Sequence, residues 1–151
     1  MPNIIIREAV LGDLSDLYEL YENHLAKSPS EESQDIDKWR ELLRELTENP
    51  GYHILIGETG GKAVSSVTVI IIRNLTHNLR PYALIENVVT HGDFRNKGYA
   101  SLLMNRASEI AKDRGCYKIM LLTGSKQEST LKFYENCGFN KNDKTGFIKW
   151  L

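Results

Sequence analysis

The chain has 151 residues, 41% of them hydrophobic, and only 11 Gly and 4 Pro, which suits one domain over residues 1–151 and argues against disorder or a collagen-like repeat. Nineteen Lys and Arg against twenty Asp and Glu give a formal charge of -1, without the basic field of a nonspecific nucleic-acid binder. Cys116 and Cys137 lack disulfide-scaffold spacing, and no signal-peptide pattern or apolar run of about 18 residues occurs, so the expectation is a cytoplasmic protein with no nucleic-acid or membrane partner.

Ile4, Ile5 and Ile6 predict a short first strand. After Gly12, the spacing of Leu14, Leu17, Tyr18, Tyr21 and Leu25 is helical, with Asp13 as the predicted cap, and Lys27-Ser28-Pro29-Ser30 then breaks the pattern into a loop. A second stripe at Ile36, Trp39, Leu42, Leu43 and Leu46 runs to Asn49-Pro50-Gly51. Tyr52 to Glu58 and Lys62 to Arg73 read as strands joined across Thr59-Gly60-Gly61 in a tight hairpin. Tyr82 to Val89 predicts a further strand, Tyr99 to Ile110 a helix ended by Gly115, and Tyr117 to Leu122 a strand parallel to the one before the helix. Leu131, Phe133, Tyr134 and Cys137 indicate a short last helix, and Phe147 to Leu151 a closing strand. This order predicts an α/β fold whose mixed sheet is mostly antiparallel with one parallel pair.

The stretch Arg95-Asn96-Lys97-Gly98-Tyr99-Ala100-Ser101 joins a strand to a helix. Small residues there let phosphate oxygens approach unpaired N–H groups at a helix N-terminus, with Arg95 and Lys97 adding charge; equally, Gly98 relieves backbone strain and the two cations face solvent. The stretch matches neither G-x-G-x-x-G nor G-x-x-x-x-G-K-[ST]. His24, His53, His77 and His91 form no H-E-x-x-H, and the two cysteines have no local pair spacing, so no metal is expected.

Arg95-x-x-Gly98-x-Ala100 followed by Leu102-Leu103, the run Phe133-Tyr134-Glu135-Asn136-Cys137-Gly138-Phe139, and Ile5-x-Arg7-x-Ala9 with Asp13-Leu14 resemble, in order and spacing, the motifs of the GNAT N-acetyltransferase superfamily over essentially the whole chain. The resemblance implies acetyl-CoA as acyl donor and a parallel strand pair that splays to admit its pantetheine arm. It places Val88, Val89 and Thr90 along that arm, the Val88 main chain near the thioester carbonyl, and the stretch Arg95 to Ser101 on the pyrophosphate. Gln127 and Thr130 fall at further coenzyme-contacting positions. A homodimer is also implied.

Tyr134 resembles the family tyrosine that donates a proton or hydrogen bond to the departing sulfur; its own chemistry equally suits an aromatic packed beside Phe133. Glu86, two residues before Val88 and on the same face of a regular strand, is a candidate base for the amine, or else a solvent-facing carboxylate. A narrower resemblance to glucosamine-6-phosphate N-acetyltransferases rests on Ile85 to Val89, Gly115 to Lys118 and the aromatic run. Leu122-Thr123, Gln127 and Thr130 depart from that pattern, which argues against carrying over the sugar phosphate. The expected activity is acetyl transfer from acetyl-CoA to a primary amine of a small molecule by direct attack. A protein or peptide N-acetyltransferase and a non-catalytic acyl-CoA-binding module are the alternatives. Leu14 to Leu25, the loop from Ser28 to Asp35 and the connection from Asn74 to Pro81 are the expected acceptor-facing segments.

Overall fold

The computed structural model describes residues 3–25 and 35–151; the loop expected at residues 27–30, and most of the acceptor-facing segment at residues 28–35, lie outside them. Strands β1 (Ile5–Glu8), β2 (Tyr52–Thr59), β3 (Lys62–Ile72), β4 (Tyr82–Thr90) and β5 (Ile119–Met120) lie in the order β1-β2-β3-β4-β5. All neighbours are antiparallel except β4 and β5, which are parallel. The hairpin between β2 and β3 turns at Gly60 and Gly61, with φ of 57° and 78°, the left-handed pair that a two-residue turn requires.

Helices cover both faces. Leu55, Val67, Val69, Ala83 and Ile85 pack on one side against Leu103, Met104, Ala107, Ile110 and Ala111 of α3 (Tyr99–Asp113). On the other side Ile54, Ile56 and Ala63 meet α1 (Leu14–Asn23) and α2 (Ile36–Glu48) through Leu14, Leu17 and Leu43. The buried run from Ala63 to Val69 therefore does not alternate with polar residues exposed to water, as expected for a strand covered on both faces. A last helix, α4 (Glu128–Asn136), sets Phe133 and Tyr134 against the α3-side core.

Three expectations are corrected. Asp13 does not cap α1 through its side chain. Its carboxylate instead holds Arg7 at 2.7 and 2.8 Å and accepts the Val10 N–H at 2.8 Å, because Arg7 also reaches Glu58 at 2.9 Å and ties β1 to β2. The parallel strand expected from Tyr117 to Leu122 is only Ile119–Met120, since the chain leaves β4 after the Leu84–Met120 pair. Phe147 to Leu151 forms no strand and closes no hairpin: with β5 so short, the segment has no strand to pair with, and Phe147 is 89% and Trp150 73% exposed.

Candidate functional site

The loop after β4 is shaped by two left-handed residues, Asn96 (φ 63°) and Gly98 (φ 80°). Gly98 stands at the N-terminus of α3, and the first helical bond there runs from the Leu102 N–H to the Gly98 carbonyl at 3.2 Å. The amides of Tyr99, Ala100 and Ser101 precede it, as the unpaired donors of a helix's first turn. No atom lies within 4 Å of a Cβ built on Gly98, so the approach is open. Tyr99 is buried and anchors the turn, while Asn96 and Lys97 are exposed. Arg95 is turned away from the expected anion: its guanidinium donates to the Thr90 and His24 carbonyls, both at 3.2 Å, and so pins the end of α1 to the loop.

Pairing between β4 and β5 is confined to Ala83–Ile119 and Leu84–Met120, so beyond Leu84 that edge of β4 has no parallel partner among the described residues. Above it β4 bulges. Register passes from Thr68–Glu86 to Ser66–Val89, so Asn87 and Val88 both oppose Val67, and Asn87 takes φ 53°. A bulge frees main-chain groups from the ladder and re-aims side chains. It also overturns the expected common face for Glu86 and Val88, which presumed a regular strand. Val88 packs on the α3 side, whereas Glu86 lies opposite Ile85, and its charge, after burial and Tyr21, helps push the Tyr52 phenol up. Val89 is buried, with its carbonyl accepting the Ser65 hydroxyl at 3.0 Å, and Thr90 Oγ1 lies 2.9 Å from that hydroxyl.

Tyr134 stands edge-on to Phe133 and Phe139, with ring centroids 5.0 and 6.4 Å away. Burial and the neighbouring Cys137 push its phenol up, which keeps it protonated and able to donate. Burial also raises Cys137, against a hydrogen bond with Ser101; that contact brings the first turn of α3 to the end of α4. Gln127 is exposed just before α4, and Thr130 is half-buried on its first turn. Val88 and Tyr134 thus both pack on the α3 side, where Cys137 links Ser101 to α4, and Glu86 lies on the other.

On the α1 and α2 side a cavity of about 200 Å³ runs between the helices and the sheet. Tyr21, Trp39, Tyr52 and four leucines form its walls, and Thr68 and Asn87 supply polar groups. Tyr21 Oη lies 3.5 Å from Thr68 Oγ1; burial raises this phenol, and hydrogen bonds with Thr68, Ser66 and Asn87 oppose the shift. Helical spacing marked Tyr21 and Trp39 as core. Their convergence with Asn87 had no local sign beyond the tolerance of asparagine for the left-handed region.

The acetyltransferase (GNAT) family profile matches residues 14–139. The chain belongs to that family. It is 39% identical to a solved protein of Agrobacterium tumefaciens str. C58 assigned as an acetyltransferase, with TM-score 0.87 and coverage of 97% of this chain and 99% of that one. A transcriptional regulator from Bacillus halodurans C-125 superposes equally well, with TM-score 0.87 at 27% identity over 98% and 100% of the two chains. Over 132 residues, 75% of this chain and 88% of the relative, it is 27% identical to glucosamine 6-phosphate N-acetyltransferase of Trypanosoma brucei brucei.

Acetyl-CoA-dependent acetyl transfer is the chemistry of GNAT folds, and the residues present fit that donor: free amides and a left-handed glycine face open space at the start of α3, beside a strand edge left unpaired. A cation is served less well. Among the described residues, Glu19, His24 and His91 bring one ligand atom each within 4.8 Å of one another. Yet Nδ1 of His24 accepts the Gly92 N–H and Nδ1 of His91 the Asp93 N–H, each at 3.1 Å. The neutral rings then carry their protons on Nε2, the reverse of the tautomer in which a ligating histidine donates through its other nitrogen.

Proposed function

We propose that this GNAT chain transfers the acetyl group of acetyl-CoA to the primary amine of a small molecule, in a ternary complex assembled across the β4 bulge. The observation that supports it most is the left-handed bulge at Asn87, standing where β4 has parted from β5 on the strand that leads through the Gly98 loop into α3. Bound acetyl-CoA supplies an activated thioester. The amides from Asn96 to Ser101 hold its pyrophosphate, with Lys97 adding charge, while Val88, Val89 and Thr90 line the arm, as do Gln127 and Thr130 from the α4 side.

Glu86, exposed on the acceptor side, takes the proton of the incoming ammonium, directly or through water, and frees the nitrogen lone pair. The Val88 N–H donates to the carbonyl oxygen as negative charge develops there. Tyr134 gives its phenolic proton to the sulfur as the tetrahedral adduct collapses and the C–S bond breaks, and the second proton shed by the newly bonded nitrogen returns to the phenol through water. Neither cysteine suits an acetyl-enzyme route, since burial pushes both the Cys116 and Cys137 thiols up and away from thiolate. Initial rates varied in both substrates give intersecting double-reciprocal lines, with product mass showing one acetyl on nitrogen; parallel lines with acetyl on a cysteine overturn direct attack.

The similarity to a protein described as a transcriptional regulator supports a second reading, an acyl-CoA-binding module. Tight acetyl-CoA binding with no thiol release against aminosugars, polyamines, amino acids and arylalkylamines would select it. A small cavity beside the bulge favours a small acceptor over a protein chain.

A further inference from the structure

We infer that the acceptor is an arylalkylamine: a primary amine on a short chain, whose aromatic ring enters the cavity between α1, α2 and the sheet while the nitrogen stays at the β4 bulge beside Glu86. The inference rests on the acetyl-transfer reading and specifies its second substrate. Three observations carry it. The cavity is on the same side of β4 as Glu86 and includes Asn87, the left-handed residue of the bulge, so it leads from the position proposed for the reacting carbonyl. Its size, about 200 Å³, exceeds the roughly 150 Å³ at which an apolar cavity takes up benzene, enough for an aromatic ring.

Its chemistry is as selective as its size. Among the described residues lining it none is charged, so no cation there matches a phosphate and no carboxylate there matches the second ammonium of a polyamine. Trp39 stands edge-on to Tyr21 at 5.4 Å, at an interplanar angle of 75°, a geometry in which a further ring packs against both. Polarity is confined to the strand side, where the Tyr21 hydroxyl meets Thr68 and Asn87. A ligand with one cationic end and one aromatic end matches that gradient; an aminosugar, polar all round, does not.

The test uses the full-length protein with saturating acetyl-CoA, following thiol release and product mass with 2-phenylethylamine, propylamine, spermidine and glucosamine 6-phosphate. The expected kcat/KM for 2-phenylethylamine is about 100-fold above that for propylamine, the upper range for apolar discrimination in a pocket, and above both polar amines. Leu42→Trp, a change at the half-exposed cavity rim, is expected to cut the phenylethylamine-to-propylamine ratio at least tenfold by the same discrimination, with a melting curve confirming the fold. Equal rates for the first two amines, a preference for spermidine or glucosamine 6-phosphate, or a ratio unchanged by Leu42→Trp overturns the inference and leaves acetyl transfer standing. Failure to acetylate any of the four amines overturns the inference; the same failure across the wider amine series of the preceding subsection overturns acetyl transfer as well.

Discussion

On its α3 side β4 borders a site made of main chain, whereas on its α1 and α2 side it borders one made of side chains. The first consists of the amides of Tyr99 to Ser101, the left-handed Gly98 and the bulge amide at Val88, supplied by one strand–loop–helix unit. The second takes Leu17 and Tyr21 from α1, Trp39, Leu42, Leu43 and Leu46 from α2, Tyr52 and Ile54 from β2, Thr68 from β3 and Asn87 from β4. Main-chain donors bind the same way whatever side chains surround them, so in the proposed reaction the first face stays fixed while the second is the one that would set the acceptor. Specificity would then follow from how α1 and α2 pack over the sheet.

The largest effect that tests this contrast is at Val88. Replacing it with Pro removes the N–H proposed to face the developing oxyanion, and kcat is expected to fall about 100-fold to 1,000-fold; Val88→Ile keeps the amide and stays within a few-fold. A Val88→Pro variant that melts normally and keeps its rate would move the oxyanion donor elsewhere. Tyr134→Phe comes next, with kcat about 100-fold lower, in the range of general-acid contributions, and the KM for acetyl-CoA little changed. The donor must be protonated to act and burial raises its pKa. The wild-type alkaline limb of kcat therefore lies above the ordinary phenol value of about 10, and the Phe variant lacks that limb.

Most of the first face was legible in the sequence, and little of the second was. Arg95-x-x-Gly98-x-Ala100 is a local motif, and because its donors are main-chain groups, naming the loop locates them. Even so, the sequence could not show that Arg95 would be taken by the Thr90 and His24 carbonyls, since one of those partners is 71 residues away. Glu86 was legible as a candidate, but its face was not: one inserted residue at Asn87 flips the alternation, and nothing but asparagine's tolerance of positive φ announces it. The cavity was illegible for a related reason. Leu43, Trp39 and Tyr21 obey the helical period of ordinary core residues, and only the packing of α1 and α2 reveals a space between them. Phe147 to Leu151 is apolar enough to read as a strand, yet composition supplies no partner, and β5 stops at Met120.

The bulge is where the two faces can be separated experimentally. Asn87→Gly retains a residue at ease with φ 53° and removes the side chain that bonds Tyr21. Loss of one such hydrogen bond, about 1 kcal/mol, is expected to raise the KM for the acceptor several-fold while leaving the KM for acetyl-CoA unchanged. Asn87→Ala adds left-handed strain of about 1–2 kcal/mol, read as a lower melting temperature than the Gly variant. If both KM values rise together in Asn87→Gly, the two faces are not independent.

The smallest effect on chemistry comes from the frame beneath α1. Asp13 is 8% and Arg7 31% exposed at their side chains. Burial of Asp13 opposes its ionisation, but Arg7 and the Val10 N–H outweigh that and hold its pKa below the usual carboxylate value. A lowered folded-state pKa means stability that is present above the unfolded value, near 3.9, and is lost as pH falls through the folded one. Asp13→Asn removes the charge but not the shape, so urea melts are expected to show it about 1.5–3 kcal/mol less stable at pH 7, the range for a hydrogen-bonded charge. The gap should narrow below about pH 4, where the unfolded carboxylate takes up its proton, and close as pH falls through the lower folded-state value and the ion pair is lost. Because Asp13 immediately precedes the helix bearing Leu17 and Tyr21, any kinetic change in the folded variant should fall on the acceptor. A variant that instead weakens acetyl-CoA binding would show that α1 also supports the α3 face, through the Arg95 bond to His24.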